Sequence, residues 1–157
     1  MFNVPFTEIL LAILAVLLVV AAVIDTRTFT ISNSLNAAIA LLAPVYWLAA
    51  GLDPWPGMAV QLAVAAGVFA LFAITFFIGM MGGGDVKLAA ALALWFPPAA
   101  TLKFLVLMSI AGGVVTVLVL VVHRLRRREG TPEIPYGVAI AFGGLAILTQ
   151  RFLNQFA

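Results

Sequence analysis

The sequence contains no cysteine and only one histidine, His123. The first absence excludes disulfides, thiol nucleophiles and thiolate metal sites, and the second leaves no histidine-rich metal centre to consider. Charge is equally scarce. Asp, Glu, Lys and Arg make up 9% of the 157 residues, while 65% are hydrophobic and the mean hydropathy is +1.23. A water-soluble domain of this size cannot cover itself with so little polar surface, so the composition specifies an all-α polytopic membrane protein. The formal charge of +2 comes largely from Arg124, Arg126, Arg127 and Arg128. Beside an apolar run these arginines read as a topology signal and a contact for anionic lipid, not as a nucleic-acid surface. One transmembrane domain over residues 1–157 is expected, without a separate soluble domain.

What fills the chain instead is apolar runs. A bilayer core about 30 Å thick calls for about 20 apolar residues per spanning helix. Candidate spans lie at 5–24, 35–51, 57–79, 86–96, 99–122 and 136–155. No Lys or Arg precedes the first run, which is also longer than a signal-peptide core, so it reads as a retained helix. The breaks carry helix-stopping chemistry: a Thr/Ser/Asn-rich stretch from Asp25 to Asn36, the Pro/Gly turn around Asp53, and Pro97-Pro98. Arg27, Lys87 and the four clustered arginines follow runs one, three and five, whereas Lys103 follows run four and Arg151 lies near the C-terminus. The positive-inside rule then puts the odd-numbered loops in the cytoplasm and both termini outside. Tyr46, Trp47, Trp55 and Trp95 are expected to form an aromatic belt at the opposite interface. Asp25 and Asp85 fall together at the cytoplasmic end.

The fourth run is anomalous. Val86 to Phe96 covers roughly 16 Å as a helix, too short to cross. The preceding Gly82-Gly83-Gly84 is therefore expected as a non-helical loop that dips below the membrane surface and lines a hydrated pocket. Glycines there allow an extended peptide backbone to approach closely, with Asp85 beside it. Each acid has a plain reading: Asp85 as the N-cap of helix four, Asp25 as a polar stop ending helix one. Taken as a pair they suit other chemistry. Two carboxylates held close cannot both ionise easily, so one keeps its proton. The ionised member can then deprotonate a water while the protonated one polarises a carbonyl, which is the logic of aspartic proteolysis and calls for neither metal nor cofactor.

Lys87 reads as an interfacial anchor and, beside the glycines, as a candidate substrate contact. Glu8, Asp53 and His123 have simple interfacial readings, and Gly112-Gly113 and Gly143-Gly144 mark expected close helix packing. The alternative function is a small proton- or cation-coupled transporter with Asp25 and Asp85 as the ion site. Such proteins place ionisable groups near the midplane in both halves of a repeat, and no repeat is visible here.

Three separated segments carry a family resemblance. Gly82-Gly83-Gly84-Asp85-Val86-Lys87-Leu88, Asp25 through Asn33, and Ile134-Pro135-Tyr136-Gly137 resemble the motifs of the type IV prepilin peptidases, membrane aspartic proteases of the GxGD class. Two positions depart from that pattern, Ser32 and Val138, where the family often has proline; neither is expected to touch a carboxylate. Longer members add a cytoplasmic domain, often with paired Cys-x-x-Cys motifs, and methylate the new N-terminus. This chain has no cysteine and resembles the minimal protease-only form of tight-adherence (Flp) pilus systems, so no methyltransferase activity is expected. The resemblance implies a bacterial inner-membrane endopeptidase that removes the short basic leader of a prepilin or pseudopilin precursor at the cytoplasmic face. Asp25 and Asp85 would be catalytic, with Gly82, Gly83, Gly84 and Lys87 at the substrate.

Overall fold

The computed structural model describes residues 4–127 and 129–155, and its regular elements are all helical. The order is α1 (Val4–Thr28), α2 (Asn33–Ala49), a short turn (Pro54–Met58), α3 (Ala59–Phe77), α4 (Gly83–Ala93), α5 (Pro98–Leu125) and α6 (Tyr136–Gln155). Four stretches are long and apolar enough to cross a membrane: Phe6–Thr28, Pro54–Phe77, Pro98–Leu125 and Tyr136–Asn154. The protein is thus an all-α polytopic membrane protein. Helix α2, with 17 residues, is shorter, and α4, with 11, does not reach across.

Local sequence explains most boundaries. Ser32 caps α2, its hydroxyl accepting the Leu35 N–H at 3.3 Å. Pro98 occupies the first turn of α5, where its missing N–H costs nothing. Helix α1 continues three residues beyond Asp25, so that acid lies within the helix and does not end it. Thr26 and Thr28 allow this by donating their hydroxyls to Val23 O (2.9 Å) and Ile24 O (3.0 Å). The chain turns away only at Phe29, in the left-handed region with φ 52°.

The short helix is central. It packs against α3, α2 and α6, while α1 lies on α6 and α2, and α5 on α6. Leu88, Ala89, Leu92 and Ala93 of α4 are fully buried, beside Leu14 and Leu18 of α1, Ile39, Phe104 and Ile140. A helix covered by protein need not match the bilayer thickness. The outward faces of the longer helices, such as Val16, Val19, Val117, Leu118 and Val121, are exposed hydrocarbon suited to lipid. Among membrane-embedded helices, association rests on close packing more than on expulsion of water. Gly143 and Gly144 provide it: an added Cβ at Gly143 meets Met108 at 3.1 Å, and one at Gly144 meets Leu18 at 2.9 Å. Gly112 has only ordinary contacts and Gly113 faces open space, so the second expected glycine pair does not pack tightly.

The aromatic belt is a correction. Trp47, Trp95 and Tyr46 are buried, and only Trp55 of the four is exposed. The two buried indoles find internal acceptors, Trp47 Nε1 donating to Leu94 O at 2.7 Å and Trp95 Nε1 to Ile39 O at 2.9 Å. Tyr46 stacks on Trp95 and takes a hydrogen bond from Arg151. With their polar handles satisfied inside the bundle, these rings have no need of the headgroup layer.

The glycine contacts generate a paired prediction. Gly143→Ala should lower stability by about 1–3 kcal/mol through overpacking. Gly113→Ala should be neutral or stabilising by up to about 1 kcal/mol. Thermal unfolding of the two variants in detergent checks this, and equal losses would contradict it.

Candidate functional site

Asp85 sits in the first turn of α4. Gly82 is the N-cap, with φ −71° and ψ 144°, and its carbonyl accepts the N–H groups of Asp85 (3.1 Å) and Val86 (3.2 Å). The Asp85 carboxylate reaches back to accept the Gly82 N–H, as the third helical residue does in a capping box. Gly83 and Gly84 are therefore helical, contrary to the expected glycine loop, and Asp85 is not itself the N-cap. The non-helical stretch is Ile78 to Gly82, with Gly79 at φ +74°. At two glycines here an added Cβ would meet a close neighbour, which is fixed backbone only at Gly84. A Cβ on Gly82 would lie 2.9 Å from Asp85 Oδ2, and one on Gly84 would lie 2.7 Å from the backbone oxygen of Ile31. The bare first turn of α4 is thus seated on the α1–α2 connection.

Asp25 is 1% exposed and faces the start of α6. Its Oδ2 accepts the Val138 N–H at 3.1 Å, and the Gly137 N–H also bonds the carboxylate. The unpaired amides of a helix's first turn, with the positive end of its dipole, solvate a carboxylate well. The approach is close: a Cβ on Gly137 would lie 2.8 Å from Asp25 Cγ and 2.6 Å from Ile31 Cδ1. Val138 was expected to touch neither acid, and this is a correction. A valine at that position donates an N–H that a proline would lack, so this bond to Asp25 depends on the residue not being proline.

Ile31 thus contacts the bare positions of both α4 and α6, and the two acids converge from α1 and α4 on the same end of the bundle. Neither carboxylate has a cation beside it among the described residues. Asp85, 7% exposed and on a helix too short to span, is pushed up to about 7. Burial is the main cause and the neighbouring Asp25 charge the second, with the Gly82 N–H opposing both. Asp85 also lines an open cavity of about 520 Å³, with Gly82, Met81, Phe29, Tyr136 and Glu133 around it. Asp25 does not line this cavity.

The remaining candidates lie elsewhere. Gly83 packs near Phe76. Lys87 is exposed and donates to Asn33 Oδ1 at 2.7 Å, away from the cavity that Asp85 lines. Arg124, Arg126 and Arg127 are exposed at the end of α5, and Arg128 lies outside the described residues. His123 lines a separate cavity with Arg126 and Glu129. Glu8 is half-buried, and Asp53 is exposed without a side-chain cap bond. Sequence reasoning missed Asn36, whose Nδ2 donates to Gly84 O at 2.9 Å, and the amide of Val138. The first had a signal, a polar residue at the head of an apolar run. The second had none, because a backbone donor carries no side-chain signature.

Residues 12–117 match the type IV leader peptidase family. That stretch contains Asp25, the glycine run and Asp85, and stops before the start of α6. No curated protein and no solved structure matches the chain.

The raised Asp85 makes stability fall with pH. Between its ordinary 3.8 and about 7 the folded protein holds a proton that the unfolded chain has released, so folding weakens as pH rises through that window. Asparagine still accepts the Gly82 N–H and never ionises. Asp85→Asn should therefore be the more stable protein at pH 8, by on the order of 2–4 kcal/mol, with the gap closing toward pH 4. Thermal unfolding at the two pH values checks this; a gap independent of pH would contradict it.

Proposed function

The chain belongs to the type IV leader peptidase family, and on that membership and its paired acids we propose that it is a membrane-embedded aspartic endopeptidase. Its substrate is a type IV prepilin or pseudopilin precursor, and it removes the short basic leader at the cytoplasmic face of the bacterial inner membrane. The observation that carries this reading is the pair itself. Two buried carboxylates without a cation converge at one end of the bundle, one of them lining an open cavity.

The surroundings divide the work. Asp85, held near neutrality by burial and by Asp25, carries the proton and polarises the scissile carbonyl. Asp25, bonded by the amides at the start of α6, deprotonates the attacking water. The proton shared by the pair then passes to the leaving amine. The pair titrates as a unit, so these roles are those of its one-proton state. Gly82, whose space is filled by the Asp85 carboxylate, leaves backbone exposed beside the cavity for an extended peptide. The exposed arginines at the end of α5 support a cytoplasmic placement of this end, with both termini outside. Hydrolysis alone is proposed, without methyl transfer. A transporter reading finds less support, because the acids gather at one end and no matching second half accompanies them.

Asp25→Asn and Asp85→Asn should each abolish leader removal from a co-expressed prepilin, with a loss on the order of 10³-fold or more, while the protein stays inserted in the membrane. The mobility shift of the precursor reads the outcome. Normal processing by a well-expressed Asp85→Asn variant would contradict the reading.

A further inference from the structure

The cavity that Asp85 lines holds a second carboxylate, Glu133. Its other walls include Phe29, Tyr136, Met80 and Met81, and among the described residues no Lys, Arg or His lines it. Glu133 is exposed and makes no hydrogen bond or ion pair among the described residues. With Phe29 and Pro132 it also lines an adjoining cavity of about 580 Å³, which His123, Arg126 and Glu129 border. Glu133 therefore stands at the junction of the two, where the site opens along the α5–α6 connection.

Its surroundings give this carboxylate a use. The same end of the bundle carries Arg27, Arg124, Arg126 and Arg127, all exposed. Over a Debye length of about 8 Å at physiological salt, those charges repel a cationic peptide. The cavity beside Asp85 is the exception. When Asp85 ionises, its charge and that of Glu133 repel one another, and a bound cation relieves both. The walls suit the rest of a basic side chain as well. Lys and Arg lay their methylenes along apolar surface, and aromatic rings such as Phe29 and Tyr136 attract a cation.

Position decides which part of a substrate meets Glu133. It lies three residues before α6, whose first-turn amide holds Asp25, and outside the membrane-spanning stretches. Seen from the acids, it is on the water side. The part of a substrate that leaves the acids in that direction is the leader.

We propose that Glu133 is a specificity-determining residue that pairs with a Lys or Arg of the leader beside the scissile bond. The inference rests on the peptidase reading and names the group that reads the leader's charge. Paired in this way, the leader lies along the junction of the two cavities and brings the following peptide bond to Asp85. A leader without basic residues offers Glu133 no partner and binds weakly.

Cleavage kinetics in detergent with two full-length prepilins test this, one with a basic leader and one with the leader's Lys and Arg replaced by Glu. Glu133→Gln should raise KM for the basic-leader precursor about two- to fivefold, with little change in kcat. Glu133→Lys should raise it further. It should also cut the acidic-leader precursor better than wild type does, by about tenfold or more in kcat/KM. That crossover can be seen only in a folded, active variant, so misfolding cannot imitate it. Glu129→Gln, which lines the adjoining cavity alone, should leave both KM values within about twofold. An unchanged leader preference in Glu133→Lys overturns the proposal. An equal shift from Glu129→Gln does so too, since it marks net charge and not a contact. In either case wild-type cleavage of the basic-leader precursor leaves the peptidase reading standing. Wild-type protein that cuts neither precursor overturns both.

Discussion

Two carboxylates are buried in this bundle with no counter-ion among the described residues, and the backbone supplies what a cation would otherwise provide. An isolated charge in a low-dielectric interior is too costly to keep unless it is hydrogen-bonded or neutralised. Both remedies are used. Asp25 takes backbone N–H groups from the start of α6, and Asp85 takes one from its own N-cap and is pushed toward its protonated form. At Gly82 and Gly137 a Cβ would lie within 2.9 Å of the carboxylate that each amide bonds, so the missing side chain permits the close approach, and the glycine at 84 seats the same helix turn on Ile31.

The fold follows from this requirement. A helix whose first turn is nearly bare can be drawn into the bundle between α2, α3 and α6, and once buried it need not span the membrane. Its shortness, its central place and the open end beside it are one arrangement.

Much of this was legible in the sequence. The scarcity of charge gave the membrane class, and charge counting gathered the acids at one end. The length of the fourth run marked it as non-spanning. The misreadings share a cause. Glycines at 83 and 84 look like a loop, yet the back-bond from Asp85 begins the helix there. Tyr46, Trp47 and Trp95 look like an interfacial belt, yet carbonyls of Leu94 and Ile39 and the side chain of Arg151 satisfy them inside. Val138 looks incidental, yet its N–H is one of the two backbone donors to Asp25. The aromatic rings and Val138 depend on tertiary partners far away in sequence, whereas the glycines depend on a bond only three residues long. Composition and periodicity report what a residue is, and these cases turn on what it meets.

The central claim is that Asp25 and Asp85 act as one coupled pair. Infrared titration of the protonated-carboxyl stretch, assigned to Asp85 by its loss in Asp85→Asn, tests this most directly. The band should disappear with a midpoint near 7 in the wild-type protein. In Asp25→Asn the midpoint should move to lower pH, yet stay above the ordinary 3.8 because burial persists. A midpoint at the ordinary carboxylate value, unmoved by Asp25→Asn, would contradict the account.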